Sequence, residues 1–250
     1  KYLDFGVFPY QIQEKEILIG VSPDEYKIYE VPISKLEDNY VTDYVNISIS
    51  GDSIKGQATC THAGLNKMQL SSGFDGIKEK DIKKALSIVF NKGNNKFNVV
   101  DYNLKNVFKR DTASIIEYEF SLHDYFKVID NEMFINLHLD KTFQNFIVDT
   151  TGRISPIEND YYFTDKQITR FEIPEGYKLD FVPENGEFHN EEFGFKVKYR
   201  TEGNFLIMEK EISLSFLVLL EDKFDDWNGM IKQLNKHYRS SIVLKKTDTN

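Results

Sequence analysis

A cysteine with histidine and aspartate partners can make a thiol nucleophile, and this chain holds one cysteine, Cys60, with His62 two residues on. A nucleophilic thiol needs its pKa lowered, by a helix N-terminus or an adjacent cation. The surrounding sequence points the other way. Val41, Val45, Ile47 and Ile49 alternate with Thr42, Tyr44, Asn46 and Ser48, and Ser50-Gly51-Asp52-Ser53 is a turn. Ile54, Gly56, Ala58 and Cys60 then alternate with Lys55, Gln57, Thr59 and Thr61. This pattern is a hairpin with Cys60 mid-strand on the apolar face, where the thiol pKa rises and access is blocked. His62 shares that face and is expected to point parallel to Cys60 rather than at it. Cys60 reads as structural, and no catalytic residue is assigned.

The histidines His62, His123, His138, His189 and His237 lie far apart in sequence, and none joins a cysteine cluster. No metal ligand and no cofactor is assigned. His189 with Glu191 and Glu192 reads as a solvated turn. Glu117 with Glu119, and Glu209 with Glu211, sit on one face of their strands at the separation a glycosidase needs. Any same-face neighbours meet that distance, so they read as a solvated face. Tyr161-Tyr162-Phe163 and Tyr125-Phe126 could stack on sugar or peptide, but read as core and interface. Glycines are dispersed, with no phosphate-binding loop. Asn46-Ile47-Ser48 matches a glycosylation acceptor by chance, inside a strand.

The elements that would position these residues are mostly strands. With 250 residues and 40% hydrophobic composition, the chain can bury the core of one large or two ordinary domains. A net charge of −9 argues against a nucleic-acid partner, whose binders need a basic face. The apolar run Phe216–Leu220 is far short of the roughly 20 residues of a membrane span. A single cysteine excludes an internal disulfide. No signal peptide opens the chain, but Lys1 sits inside a patterned segment, so its start says nothing about export.

Lys1 to Gly20 is expected to lie against the body as extended chain. A short strand near Tyr29, Val31 and Ile33 is confined to an edge by Pro32. Ile82, Ala85, Leu86, Val89 and Phe90 share one face of a helix ending at Asn91-Lys92-Gly93. Alternation returns at Ile116–Leu122 and at Met133–Leu139, then lapses between Thr150 and Asn159. The expected division is 1–152, a β-rich domain with a helical insertion near 76–91, and 153–250, an antiparallel β domain with a helix near 225–239. In the second part Phe193–Arg200 and Leu206–Phe216 form a hairpin. A four-residue loop, Thr201–Asn204, would set Lys196 opposite Glu209. Trp227, Met230, Ile231, Leu234 and Tyr238 recur at helical spacing, capped by Asp225 or Asp226. Ile242–Leu244 is a last strand before a polar tail, Lys245 to Asn250. The fold class is mainly β: two antiparallel β-sandwich-like domains with a few packed helices.

Several segments in order resemble the C-terminal region of bacterial transglutaminase-like proteins. They are Ile173–Asn185 ("IPEGYKLDFVPEN"), the Phe193-Gly194-Phe195 strand, the long hairpin, the Trp-containing helix and Ile242–Lys246 ("IVLKK"). Arg153–Ile157 resembles the family's entry to its last domain. Leu3–Gly20 resembles the segment just after the family's catalytic core, so Asp4 takes no triad role. The resemblance implies a bacterial, exported protein of the periplasm or cell surface. In it this region is non-catalytic, supports an upstream transglutaminase-like catalytic domain, or binds its substrate or a protein or glycan partner. Two alternatives stand beside it: a free-standing surface module binding glycan or protein, and a hydrolase with a carboxylate site.

Overall fold

A computed structural model describes residues 1–247; the end of the expected polar tail, 248–250, lies outside the described residues. A hairpin of β1 (Glu16–Ser22) and β2 (Glu25–Glu30) precedes the longer hairpin of β3 (Tyr40–Ser50) and β4 (Ser53–His62). Helices α1 (Gly64–Phe74) and α2 (Glu79–Val89) follow. Next come β5 (Phe97–Lys105), β6 (Ser114–His123), β7 (Lys127–Ile129) and β8 (Glu132–Ile135). The remaining strands are β9 (Ile157–Glu158), β10 (Phe163–Glu172), β11 (Tyr177–Phe181), β12 (Gly186–His189), β13 (Phe193–Glu202), β14 (Phe205–Leu214) and β15 (Val218–Leu219). Helix α3 (Phe224–Arg239) and β16 (Ile242–Lys246) close the described chain.

The molecule is mainly β and sandwich-like. Eight strands form one sheet in the order β12-β13-β14-β10-β3-β4-β6-β5. All neighbours are antiparallel except β10 and β3, which run parallel from Thr164/Tyr40 to Phe171/Ile47. A second, four-stranded sheet has the order β11-β16-β8-β7. Residues 1–152 and 153–250, expected as two domains, therefore share both sheets. The parallel β3–β10 pair joins the halves in one, and β8 pairs with β16 in the other. Parallel strands need a long crossover, and such distant pairing leaves no local signal in sequence.

One face of the large sheet is covered. Val45, Ile47, Ile54, Phe120 and Met208 on that face pack with Met133, Ile135, Ile242 and Leu244 of the small sheet and with Leu70, Phe74 and Leu86 of α1 and α2. Gly56 permits the closest approach there, since a Cβ would lie 2.1 Å from the Phe120 ring opposite it. At the other end, α3 lays Trp227, Met230, Ile231 and Leu234 on Phe193, Phe195, Val197, Ile212 and Leu214. The helix begins at Phe224 with no side-chain cap; Asp225 and Asp226 lie inside its first turn, where they favour the helix dipole instead. Trp227 is buried and donates its indole N–H to the Phe146 carbonyl at 3.0 Å.

Two local expectations shift. The β13–β14 turn is two residues, Gly203-Asn204, with Gly203 at φ 57°, a left-handed position suited to glycine. The tighter turn sets Lys196 opposite Glu211 and Lys198 opposite Glu209. Glu16–Ser22, expected against the body, instead pairs with Glu25–Glu30 as a separate hairpin. Its base is anchored: Val31 is buried and exchanges backbone bonds with Glu14 and Lys15.

Candidate functional site

Alternation puts polar groups on the covered face as well as apolar ones. In register across four strands lie Cys60, Asp43, Gln167 and Lys210, each opposite the next. The row begins inside the larger apolar cluster, which holds Cys60, and at Lys210 it separates Met208 of that cluster from Ile212 of the other. Lys92, in the segment after α2, inserts its ammonium against the Asp43 carboxylate. At the far end Lys210 donates to the Asp140 carbonyl at 2.8 Å and to the Tyr238 hydroxyl at 3.1 Å. Tyr238 donates to the Thr142 carbonyl at 2.7 Å, and the Thr142 hydroxyl donates to Asp165 at 2.8 Å. Buried charges persist only when so paired and bonded.

Cys60, His62 and Asp43 have the composition of a thiol triad, and Cys60 Sγ lies 3.8 Å from His62 Nδ1. The contact differs from the parallel placement expected for His62. Its electrostatics oppose nucleophilic chemistry. Burial, with the nearby Asp43 charge, pushes the Cys60 thiol well up. Burial pulls His62 down to about 4. Both groups are then neutral near pH 7, whereas a thiolate–imidazolium pair requires the reverse shifts. All three residues are buried, so the arrangement holds the sheet together and presents nothing to solvent.

The other residues singled out from the sequence are dispersed. Asp4 accepts from the buried Lys67 ammonium at 3.1 Å and from the Asp111 N–H at 2.8 Å, tying the N-terminal segment down. His123 meets Ser53 Oγ at 2.7 Å and His138 meets Tyr199 OH at 3.0 Å. Among the described residues no three His, Cys, Asp or Glu side chains converge as a metal site. Glu117 pairs with Lys105, Glu209 with Arg200, and Tyr161 is buried.

Two exposed features went unread in the sequence. The uncovered face of the large sheet carries an open trough of about 700 Å³ around Asn46, Lys55, Gln57, Glu119, Arg170 and Phe205. It continues into a smaller depression of about 360 Å³ beside Asp101. The second feature is the β1–β2 hairpin. Leu18 faces Ile28 on one side, and Ile17 faces Tyr29 on the other. Leu18 is 68% exposed and Ile28 is 71% exposed. The alternating signal in 16–30 could have revealed a hairpin, but not that both faces stay uncovered.

Residues 131–244 match a family model described as "Domain of Unknown Function with solved-structure structure (DUF3858)". The match starts at the turn before β8, crosses the expected boundary at 152/153 and ends within β16. That description names no activity, ligand or link to transglutaminases. No curated protein and no solved structure matches the chain.

Proposed function

We propose that this chain is a non-catalytic module that supports a transglutaminase-like catalytic domain, docking on it through the β1–β2 hairpin. The observation that carries this reading is the hairpin's double apolar exposure. A two-stranded hairpin is marginal in water on its own. This one displays Leu18, Ile19, Val21, Tyr26, Ile28 and Tyr29 to solvent on its two faces. Phe5, 93% exposed, is a separate apolar side chain outside the hairpin, with its N–H donating to Asp111. An apolar arm on an anchored base fits a docking element. The resemblance of Leu3–Gly20 and of the C-terminal segments supplies the partner's identity, and with it a bacterial periplasmic or cell-surface setting.

The test is direct. The chain is mixed with a transglutaminase-like catalytic domain from the same gene, and hydrogen exchange is followed at residues 16–30. Protection of the hairpin amides, lost in Leu18→Asp with Ile28→Asp, is the expected result. Equal exchange with and without the catalytic domain, together with unchanged melting of that domain, would overturn the reading.

A second reading, a surface module that binds a small ligand, is favoured by the trough.

A further inference from the structure

We propose that the trough on the open face of the large sheet binds a short peptide with free termini, about four residues long and laid across the strands. The inference does not rest on the docking role, and hairpin variants should leave it unchanged.

The trough gathers charges that have no partner. Elsewhere on this face Lys105 pairs with Glu117 at 2.5 Å, Lys196 with Glu187 at 3.5 Å and Arg200 with Glu202 at 2.9 Å, while Lys166, Lys198 and Glu211 stand without an ion pair among the described residues. In the trough Lys55, Asp101, Glu119, Arg170 and Glu172 make no ion pair among the described residues. Asp101 sits directly opposite Glu119. Like charges in that position repel, and a cation between them relieves the cost. A bulge at Val100 breaks the register there and leaves both Val100 and Asp101 exposed.

The opposite charge lies three strands away in the same row. Glu119, Gln57, Asn46 and Arg170 are successive cross-strand partners on β6, β4, β3 and β10. Three strand spacings of ~4.8 Å give about 14 Å, which an extended chain rising ~3.3 Å per residue spans with about four residues. The ammonium end lies between Asp101 and Glu119. The carboxylate end meets the Arg170 guanidinium, whose fork suits a carboxylate and is held 3.2 Å over the centre of the Phe205 ring. Glu172 lies two residues along β10 from Arg170, and Lys55 lies on β4 diagonal to Glu119; both line the trough.

Between the ends are two carboxamides. Each offers a donor and an acceptor, as a peptide group does. Gln57 donates to Glu119 at 3.1 Å. Asn46 lines the trough, and its Oδ1 has no hydrogen-bond partner among the described residues; the oxygen is shielded from solvent, so the amide must turn to offer it to a ligand N–H. A glycan would instead seek an open aromatic face, and the Phe205 ring is already covered by Arg170.

The experiment is a titration of the full chain, by calorimetry and amide NMR, with tetraalanine, N-acetyl-tetraalanine, tetraalanine amide and cellotetraose. Tetraalanine should saturate and shift the signals of Asn46, Gln57 and Arg170, and each cap should weaken it by about tenfold or more. Glu119→Gln should weaken tetraalanine by a similar factor but leave N-acetyl-tetraalanine unchanged. Arg170→Gln should do the same with respect to the amide. No saturation at millimolar tetraalanine, equal binding of capped peptides, or binding of cellotetraose alone would each overturn the proposal. The comparison of caps uses the unmodified chain, so it decides even if a variant fails to fold.

Discussion

Lys92 and Asp43 form an ion pair sealed beneath the large sheet, with 2% and 6% of their surfaces exposed. Burial alone would lower the Lys92 pKa, but Asp43, Tyr118 and Asp140 outweigh it and hold the ammonium well above its ordinary range. Removing one partner leaves the other charge buried and unpaired. Asp43→Asn or Lys92→Met should therefore cost about 3–5 kcal/mol in urea unfolding, and the paired change Asp43→Leu with Lys92→Met should cost less than either single one. Because the folded pKa of Lys92 is raised, its contribution is complete below the ordinary value of 10.5 and is lost as pH climbs through the folded value. A chain whose single variants unfold at the same denaturant concentration as the parent would show that the pair contributes nothing.

His62 titrates in the opposite sense. Its folded pKa, about 4, lies below the ordinary 6.5, so between those values the unfolded chain binds the extra proton. Stability should fall as pH drops from 6.5 toward 4, by about 3 kcal/mol from this group alone. His138, pulled by burial to about 2, adds to the slope in the same direction. His62→Gln should remove about one proton's share of that slope, read from unfolding at a series of pH values. An unchanged slope would place His62 in water.

Cys60 should resist modification. A thiol reagent added to the native chain should react slowly, and fully once denaturant is present. Cys60→Ser should leave any measured binding unchanged. Fast native modification would mean that the strand opens or that the thiolate is stabilised, against the burial and the nearby Asp43 charge.

Trp227 reports on the docking of α3, since the chain has one tryptophan. Its ring meets Phe193, Phe216, Phe143 and Phe146 edge to face. Emission should be blue-shifted and insensitive to iodide, and Trp227→Ala should cost about 3–5 kcal/mol. Native emission that iodide quenches readily would contradict this packing.

The hairpin should be dispensable for the fold. Shortening residues 17–29 to a glycine turn removes exposed side chains and should change stability by no more than about 0.5 kcal/mol. A large loss would mean that the arm packs on the body in solution.

Local chemistry in the sequence determined much of this architecture. Period-two alternation marked β3, β4, β6, β13 and β14, and helical spacing marked α3, because each signal needs only neighbours along the chain. The burial of Cys60 followed from the same alternation. What only the tertiary structure decided depends on pairing between distant segments. The parallel β3–β10 contact merges the two expected domains into one sheet, and no residue in either strand encodes that partner by itself. Lys92 read as part of a helix end until folding carried it to Asp43. The row Glu119, Gln57, Asn46, Arg170 comes from four strands and exists only once their registers are set. Each of its members looks in sequence like one more polar residue on a solvated face, because side-chain alternation specifies a face and says nothing of which strand lies beside it.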